Sequence, residues 1–395
     1  MSESTVLALP IGFRAAAVKA GIKPSGGLDL AVLVSDRDCS AAGTFTTNRV
    51  AAAPVHWDRS ILPSAEIRGV VINAGNANAA TGQKGLDNAR ATAAGAAAVL
   101  GCRTEQVLVA STGVIGHQLP MPRVEAGLRA ALDAANSDQA SFHEASLAIM
   151  TTDTRPKVVS LRKEVGGRTI TLLGLAKGAA MIGPNMATML GFLLTDAKVA
   201  PEALGGMLRY AVEDSFNCIS VEGHMSTNDT VLALANGASG VEDFETLSGM
   251  IEEACATLAR MIPEDGEGAT HLITIDVEGA STPEDARAIA KAVADSPLVK
   301  TAIHGADPNW GRIVSAAGYA GVPFEEADLS LWLNGVPLYK DGAPLPFDDA
   351  ATSASLRANR EAHIRLVLNH GPAAVRFWTC DLTAEYIRLN ADYTT

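Results

Sequence analysis

Six uncharged residues in a row, Met189-Leu190-Gly191-Phe192-Leu193-Leu194, follow closely on a turn written Gly183-Pro184-Asn185. A run this short and apolar, opened by turn residues, reads as a buried strand. Between turn and strand stand Ala187 and Thr188. Proline fixes its own φ and asparagine tolerates unusual dihedrals, so the turn is suited to hold a strained bend, while the small Ala187 leaves its carbonyl accessible. The stretch therefore reads as a self-cleavage site. A cut before Thr188 makes that threonine the first residue of a central strand, with a hydroxyl and a new α-amine side by side.

The chain has core enough to surround such a strand: 395 residues, 48% hydrophobic and 19% charged, are the makings of one large or two ordinary domains. A formal charge of -13 argues against nucleic acid, whose binders carry a basic face or stripe. The N-terminus lacks a basic segment followed by a long apolar run, and no uncharged stretch approaches the roughly 20 residues of a membrane helix. A cytoplasmic chain with no membrane segment is expected. Cys39, Cys102, Cys218, Cys255 and Cys380 are scattered and form no C-x-x-C pair, and the eight histidines form no H-E-x-x-H. Neither a disulfide framework nor a metal site is expected.

Apolar runs and alanine-rich segments alternate along the first half. Residues 28–35, 70–73, 107–110 and 169–175 read as strands, and 86–100 and 124–135 as helices. In the second half, helices are expected over 201–215, opened by Pro201, over 245–261, and over 283–295, with Glu284 and Asp285 in the first turn. Residues 329–333, 363–368, 374–379 and 385–390 alternate well enough to suggest an antiparallel sheet, with Asn334-Gly335 as a hairpin turn. Because an apolar run follows Thr188 directly, residues 1–187 and 188–395 are expected to share one core.

The pattern Gly183-Pro184-Asn185-Met186-Ala187-Thr188-Met189-Leu190 resembles the self-processing site of the ornithine acetyltransferase family, also called the glutamate N-acetyltransferase family of arginine biosynthesis. Further stretches resemble family signatures in the same order: Gly12 to Ala16, Gly43 to Asn48, Asn73 to Asn78, Met150 to Thr154, Asp307 to Arg312 and the closing Tyr393-Thr394-Thr395. The fold this implies is α/β, a four-layer α/β/β/α sandwich shared with self-processing aminopeptidases. The activity it implies is transfer of the acetyl group of N2-acetyl-L-ornithine to L-glutamate through an acetyl-threonine, without metal or redox cofactor. Acetyl-CoA is a further donor for some members, and two copies of each processed chain, a heterotetramer, are the implied assembly.

Residue roles follow from the same resemblance. Cleavage between Ala187 and Thr188 yields an alpha chain, 1–187, and a beta chain, 188–395. The free α-amine, with an ordinary pKa of about 7.7–8.0, activates the Thr188 hydroxyl as nucleophile. Thr112 and Gly113, in Ser111-Thr112-Gly113-Val114-Ile115-Gly116, supply the oxyanion hole through a hydroxyl and a backbone N–H. Lys177 suits an α-carboxylate and Glu267 an ammonium group, and Thr152, Thr188, Asn390 and Thr395 complete the substrate pocket. Glu264 and Asp265 are weaker candidates beside Glu267. Ser220 to Asp229 resembles another family block, but His224 within it stands where family members commonly carry an acidic residue, and Ala179-Ala180 replaces serine and glycine.

Two rival functions carry different signatures. A hydrolase of the same fold, an aminopeptidase or amidase, releases the acyl group to water. An unprocessed binding or scaffold protein stays in one piece and does no chemistry.

Overall fold

In the computed structural model, which describes residues 7–183 and 189–392, the apolar run behind the turn forms strand β7 (Leu190–Thr195), with all six residues buried. Ala187, Thr188 and Thr395 lie outside the described residues. Strand β7 pairs antiparallel with β6 (Arg168–Lys177) and parallel with β8 (Thr230–Ala235), so Leu190 sits opposite both Lys177 and Thr230. These belong to an eight-stranded sheet ordered β4-β3-β2-β8-β7-β6-β5, with β1 added against β2. The other members are β1 (Phe13–Val18), β2 (Leu30–Phe45), β3 (Ser64–Asn76), β4 (Val107–Val114) and β5 (Lys157–Val165).

Alternation along the strands decides the layers. Ala31, Leu33, Cys39 and Ala41 of β2 join Ile72, Leu108, Leu175, Phe192 and Leu234 in one core on the inner face of the sheet. The intervening residues point outward: Leu30, Val32 and Val34 pack on α2 (Gly82–Leu100) and α3 (Met121–Ala134), while Ala42, Leu193 and Ala233 pack on α5 (Pro201–Glu213) and α6 (Phe244–Glu264). All four helices thus cover the outer face. The sheet, whose register shifts between Val34 and Cys39, coils back on itself and closes its inner face on a single core, with α4 (Gln139–Ala148) at one end. The result is the expected α/β/β/α order of layers. A short helix, α1 (Ala53–Arg59), packs beside α2 and β4.

The helices begin and end where their sequences direct. The Asp243 side chain accepts the Thr246 N–H at the head of α6, and Pro201 opens α5 where a missing N–H costs nothing. Gly101, with φ +66, closes α2 in the left-handed conformation.

A second, six-stranded sheet follows in the order β12-β11-β10-β13-β9-β14, from β9 (Leu272–Ala280), β10 (Ser330–Leu333), β11 (Val336–Lys340), β12 (Ala343–Pro344), β13 (Glu361–Val367) and β14 (Ala373–Cys380). One face buries Ile275, Ile364 and Phe377 against α7 (Pro283–Asp295), α8 (Pro297–His304), α9 (Trp310–Gly318) and α10 (Asp349–Ala358). The expected hairpin at Asn334-Gly335 joins β10 to β11. Two expectations are corrected. The sheet is mixed rather than antiparallel, because β13 runs parallel to β9. Residues 385–390 are not a strand but part of helix α11 (Ala384–Asp392), which Thr383 starts by accepting the Tyr386 N–H on its hydroxyl at 3.1 Å.

Candidate active site

The last residue of β6 and the end of β4, one from each layer of the sandwich, meet at a cleft. Strand β4 runs parallel to β3 with a shift in register at Gly75 and Asn76. Gly113 takes φ +130 there, and a Cβ on it would lie 2.3 Å from the carbonyl carbon of Gly75. Only glycine permits that approach. Next to it Thr112 is 4% exposed, and its Oγ1 accepts a hydrogen bond from Lys177 Nζ at 3.2 Å. A hydroxyl that accepts from an ammonium keeps its own proton to donate elsewhere, which is the polarity an oxyanion donor needs.

Lys177 is 2% exposed, and burial lowers its pKa, assisted by nearby Lys157 and opposed by Asp153, Asp229 and Glu267. Burial alone would raise the Asp153 carboxyl. The positive charges of Lys177 and Lys157, with hydrogen bonds from Lys157 Nζ at 2.7 Å and Gly178 N–H at 2.6 Å, outweigh it and hold Asp153 at about 2.

On the far wall, Glu267 occupies the turn between α6 and β9. Its N–H donates to the Ala179 carbonyl at 2.9 Å, and its Oε2 accepts from Asn390 Nδ2 at 2.8 Å. Gly268 lets α11 come close: with φ +68, a Cβ there would meet the Tyr386 nitrogen at 2.6 Å. Thr112, Gly113, Thr152, Lys177, Glu267 and Asn390 thereby line one cleft, open at its mouth. These are all the site residues expected from sequence that fall within the described chain. The cleft presents a cation, a carboxylate, hydroxyls and an amide, a set able to hold a small zwitterion by both ends.

Two carboxyls to which the sequence reading gives no role, Glu222 and Asp229, hold the backbone at Ile182 and at Met189. Ile182 N–H donates to Glu222 Oε1 at 2.5 Å, and the Ile182 carbonyl accepts N–H groups from Val221, Glu222 and Gly223 at 2.8, 3.3 and 3.0 Å. Met189 N–H donates to Asp229 Oδ1 at 3.1 Å. The second oxygen of each, Glu222 Oε2 and Asp229 Oδ2, is buried with no hydrogen-bond partner among the described residues. Burial pushes Glu222 up to about 7, against the Ile182 N–H and the charge of Lys300, and pushes Asp229 well above the usual carboxylate range. Asn228, likewise given no role, donates to the carbonyls of Ala77 at 2.6 Å and Ser111 at 2.8 Å, tying this loop to the end of β4. All three lie in the block from Ser220 to Asp229 that resembles a family signature, whose last four residues are polar and precede a buried strand.

Asp265 faces Lys157 rather than the cleft, and Glu264 pairs with Arg155 at 2.8 Å. His224 is exposed and does not line the cleft. Four cysteines are buried, Cys102 is half-buried, and all five are free. Among the described residues no group of three or more His, Cys, Asp or Glu side chains is placed to hold a metal, and no helix is long and apolar enough to cross a membrane.

Layering and cleft together define a four-layer α/β/β/α protein whose polar site opens where the two halves of the coiled sheet meet. Residues 14–395 match the ArgJ family. The chain belongs to that family. It is 45% identical over 395 residues to the arginine biosynthesis bifunctional protein ArgJ of Rhodopirellula baltica, covering 98% of this chain and 96% of that one. It is 48% identical over 389 residues to the protein of the same name from Thermus thermophilus, covering 98% and 99%. A crystal structure of arginine biosynthesis bifunctional protein ArgJ from Bacillus halodurans aligns with a TM-score of 0.50 and 37% identity, over 51% of this chain and 98% of that one.

Proposed function

We propose that this protein is a glutamate N-acetyltransferase of arginine biosynthesis, moving the acetyl group of N2-acetyl-L-ornithine to L-glutamate after cutting itself between Ala187 and Thr188. The observation that carries this reading is the Lys177–Thr112 contact beside Gly113, in a cleft that also holds Glu267 and Asn390. Family membership and relatives named for arginine biosynthesis along nearly their whole length support it.

In the self-cleavage, the Thr188 hydroxyl attacks the Ala187 carbonyl, the peptide C–N bond breaks as the nitrogen takes up a proton, and water hydrolyses the resulting ester. In the transfer, the Thr188 α-amine takes the hydroxyl proton as the oxygen attacks the acetyl carbonyl of the donor. Negative charge develops on the acetyl oxygen, where the Thr112 hydroxyl and Gly113 N–H stabilise it. Ornithine leaves with a proton on its α-nitrogen, and the α-amine of glutamate then takes the acetyl group from the threonine ester. Lys177 binds the α-carboxylate common to both substrates, and Glu267 with Asn390 meets the ammonium end of ornithine. Thr152 and Thr395 complete the pocket.

The finer points of the reading are a heterotetramer of two alpha and two beta chains in the cytoplasm, and acetyl-CoA as a second acetyl donor. The deciding experiment incubates the purified protein with N2-acetyl-L-ornithine and L-glutamate, without coenzyme A, and follows products and chain masses by mass spectrometry. N-acetylglutamate together with a chain beginning at Thr188 is the expected outcome. Acetate alone would identify a hydrolase, and one inert full-length chain a non-catalytic protein.

A further inference from the structure

Lys157, the first residue of β5, is 1% exposed and does not line the cleft, yet its Nζ lies 2.7 Å from Asp153 Oδ1 and 2.7 Å from Asp265 Oδ2. A buried ammonium is costly unless it is paired and its partners are themselves satisfied. Here the remaining valences are filled by backbone N–H groups and one hydroxyl. Asp153 Oδ2 accepts from Thr151 N–H at 3.0 Å, and its Oδ1 also accepts from Gly178 N–H at 2.6 Å. Asp265 accepts from Thr154 N–H at 3.1 Å on Oδ2 and from the Thr154 hydroxyl on Oδ1.

The endpoints of this chain of contacts are informative. Asp153 follows Thr152 in sequence and grips the amide that follows Lys177. Asp265 lies two residues before Glu267, and the Glu267 N–H returns to the Ala179 carbonyl at 2.9 Å, closing the circuit. Three segments distant in sequence, each delivering one substrate-contact candidate, are therefore joined behind the cleft by one lysine and two carboxylates. Charges alternate along the path from Lys177 to Asp153, Lys157 and Asp265, so no member is left with an uncompensated like neighbour.

We propose that the Asp153–Lys157–Asp265 triad is the positioning unit of this site, setting Thr152, Lys177 and Glu267 in register while touching no substrate itself. The proposal rests on the reading of the cleft as the acetyl-transfer site. The titratable groups around Lys177 are Asp153, Lys157, Asp229, Glu267 and Lys23, and Asp153 is the foremost of those that favour its charged form.

The test uses the full-length protein, following acetyl transfer from N2-acetyl-L-ornithine to L-glutamate across neutral and alkaline pH, with melting temperatures measured in parallel. Asp265→Asn removes one charge while leaving the Asp153–Lys157 pair. The expected result is a rise in KM for both substrates of about tenfold, with a smaller change in kcat. Asp153→Asn removes the anion that favours protonated Lys177, so the alkaline limb of kcat/KM moves to lower pH, by about one unit. Folded variants that keep the wild-type KM and the wild-type alkaline limb overturn the proposal. So does a loss of melting temperature and kcat with KM and limb unmoved, which marks a purely structural brace. If Asp153→Asn does not fold, Asp265→Asn decides through KM alone. A wild-type protein that transfers no acetyl group overturns the functional reading, and this inference with it, an outcome visible before any variant is made.

Discussion

Lys177 Nζ and Thr112 Oγ1, 65 positions apart in sequence, lie 3.2 Å from each other across the two layers of the coiled sheet. Each comes from the end of a buried strand and is itself buried while lining the cleft. The lysine acts on the hydroxyl as donor, which commits the hydroxyl proton to the cleft.

Thr112→Val keeps the shape of the side chain and removes that proton. Transfer should slow by about 10²–10³ in kcat with KM for either substrate little changed, as for loss of one oxyanion donor. Steady-state kinetics on the purified variant checks this; an unchanged kcat would remove Thr112 from the oxyanion hole.

In the proposed mechanism a single hydroxyl cuts the chain and carries the acetyl group, and Thr188→Ala removes it. A single full-length band on a denaturing gel and no N-acetylglutamate are expected. An uncut variant that still transfers acetyl would refute the mechanism.

Gly113→Ala places a methyl against the Gly75 backbone at a φ of +130 that other residues rarely adopt. The backbone strain alone is worth about 1–3 kcal/mol, and the clash adds to it. A fall in the urea midpoint of at least that equivalent is expected, whereas Gly116→Ala, with nothing within 4 Å of its added Cβ, should lose less.

Glu222 gives the protein a pH dependence of defined sign. Its pKa rises from the ordinary 4.5 to about 7 on folding, so between those values the native state binds more protons than the unfolded one. Stability from this group is then highest below pH 4.5, falls as pH rises towards 7 and is level above it. Glu222→Gln removes the fall and keeps an acceptor for the Ile182 N–H. Relative to wild type it should be more stable at pH 8 by on the order of 2 kcal/mol and nearly equal below pH 4.5, as read from denaturant midpoints.

Sequence made the core strands legible because hydrophobic periodicity is written locally: the helix over 283–295 was found to the residue, and the β7 run was plain. Pairing was not legible. That β13 lies parallel to β9 depends on which distant segments meet, and alternation within a strand is the same in either direction. Over helix α11, Tyr386 and Ile387 favour a strand, while Thr383 as N-cap and Glu385 in the first turn favour the helix that forms. In the site, residues matching family signatures were found. Glu222 and Asp229 lie in a block that resembles a family signature yet carry no expected role, because nothing in a sequence reports that a carboxyl is buried with one oxygen unpartnered. Asp153 stood in a recognised block, but its role lies in Lys157, whose burial was equally invisible.

The eight-stranded sheet interleaves residues before and after the proposed cut between Ala187 and Thr188: β2 is bonded to β8 through six residue pairs, from Ser40–Ala235 to Phe45–Thr230, and β6 to β7 through six more. A break between residues 187 and 188 would open a chain end inside a continuous ladder. For the two pieces to part, those backbone hydrogen bonds would have to be exchanged for water and the cores on both faces of the sheet laid open. Dissociation and unfolding would then be one event, and the affinity between the pieces would have no value separate from the stability of the fold.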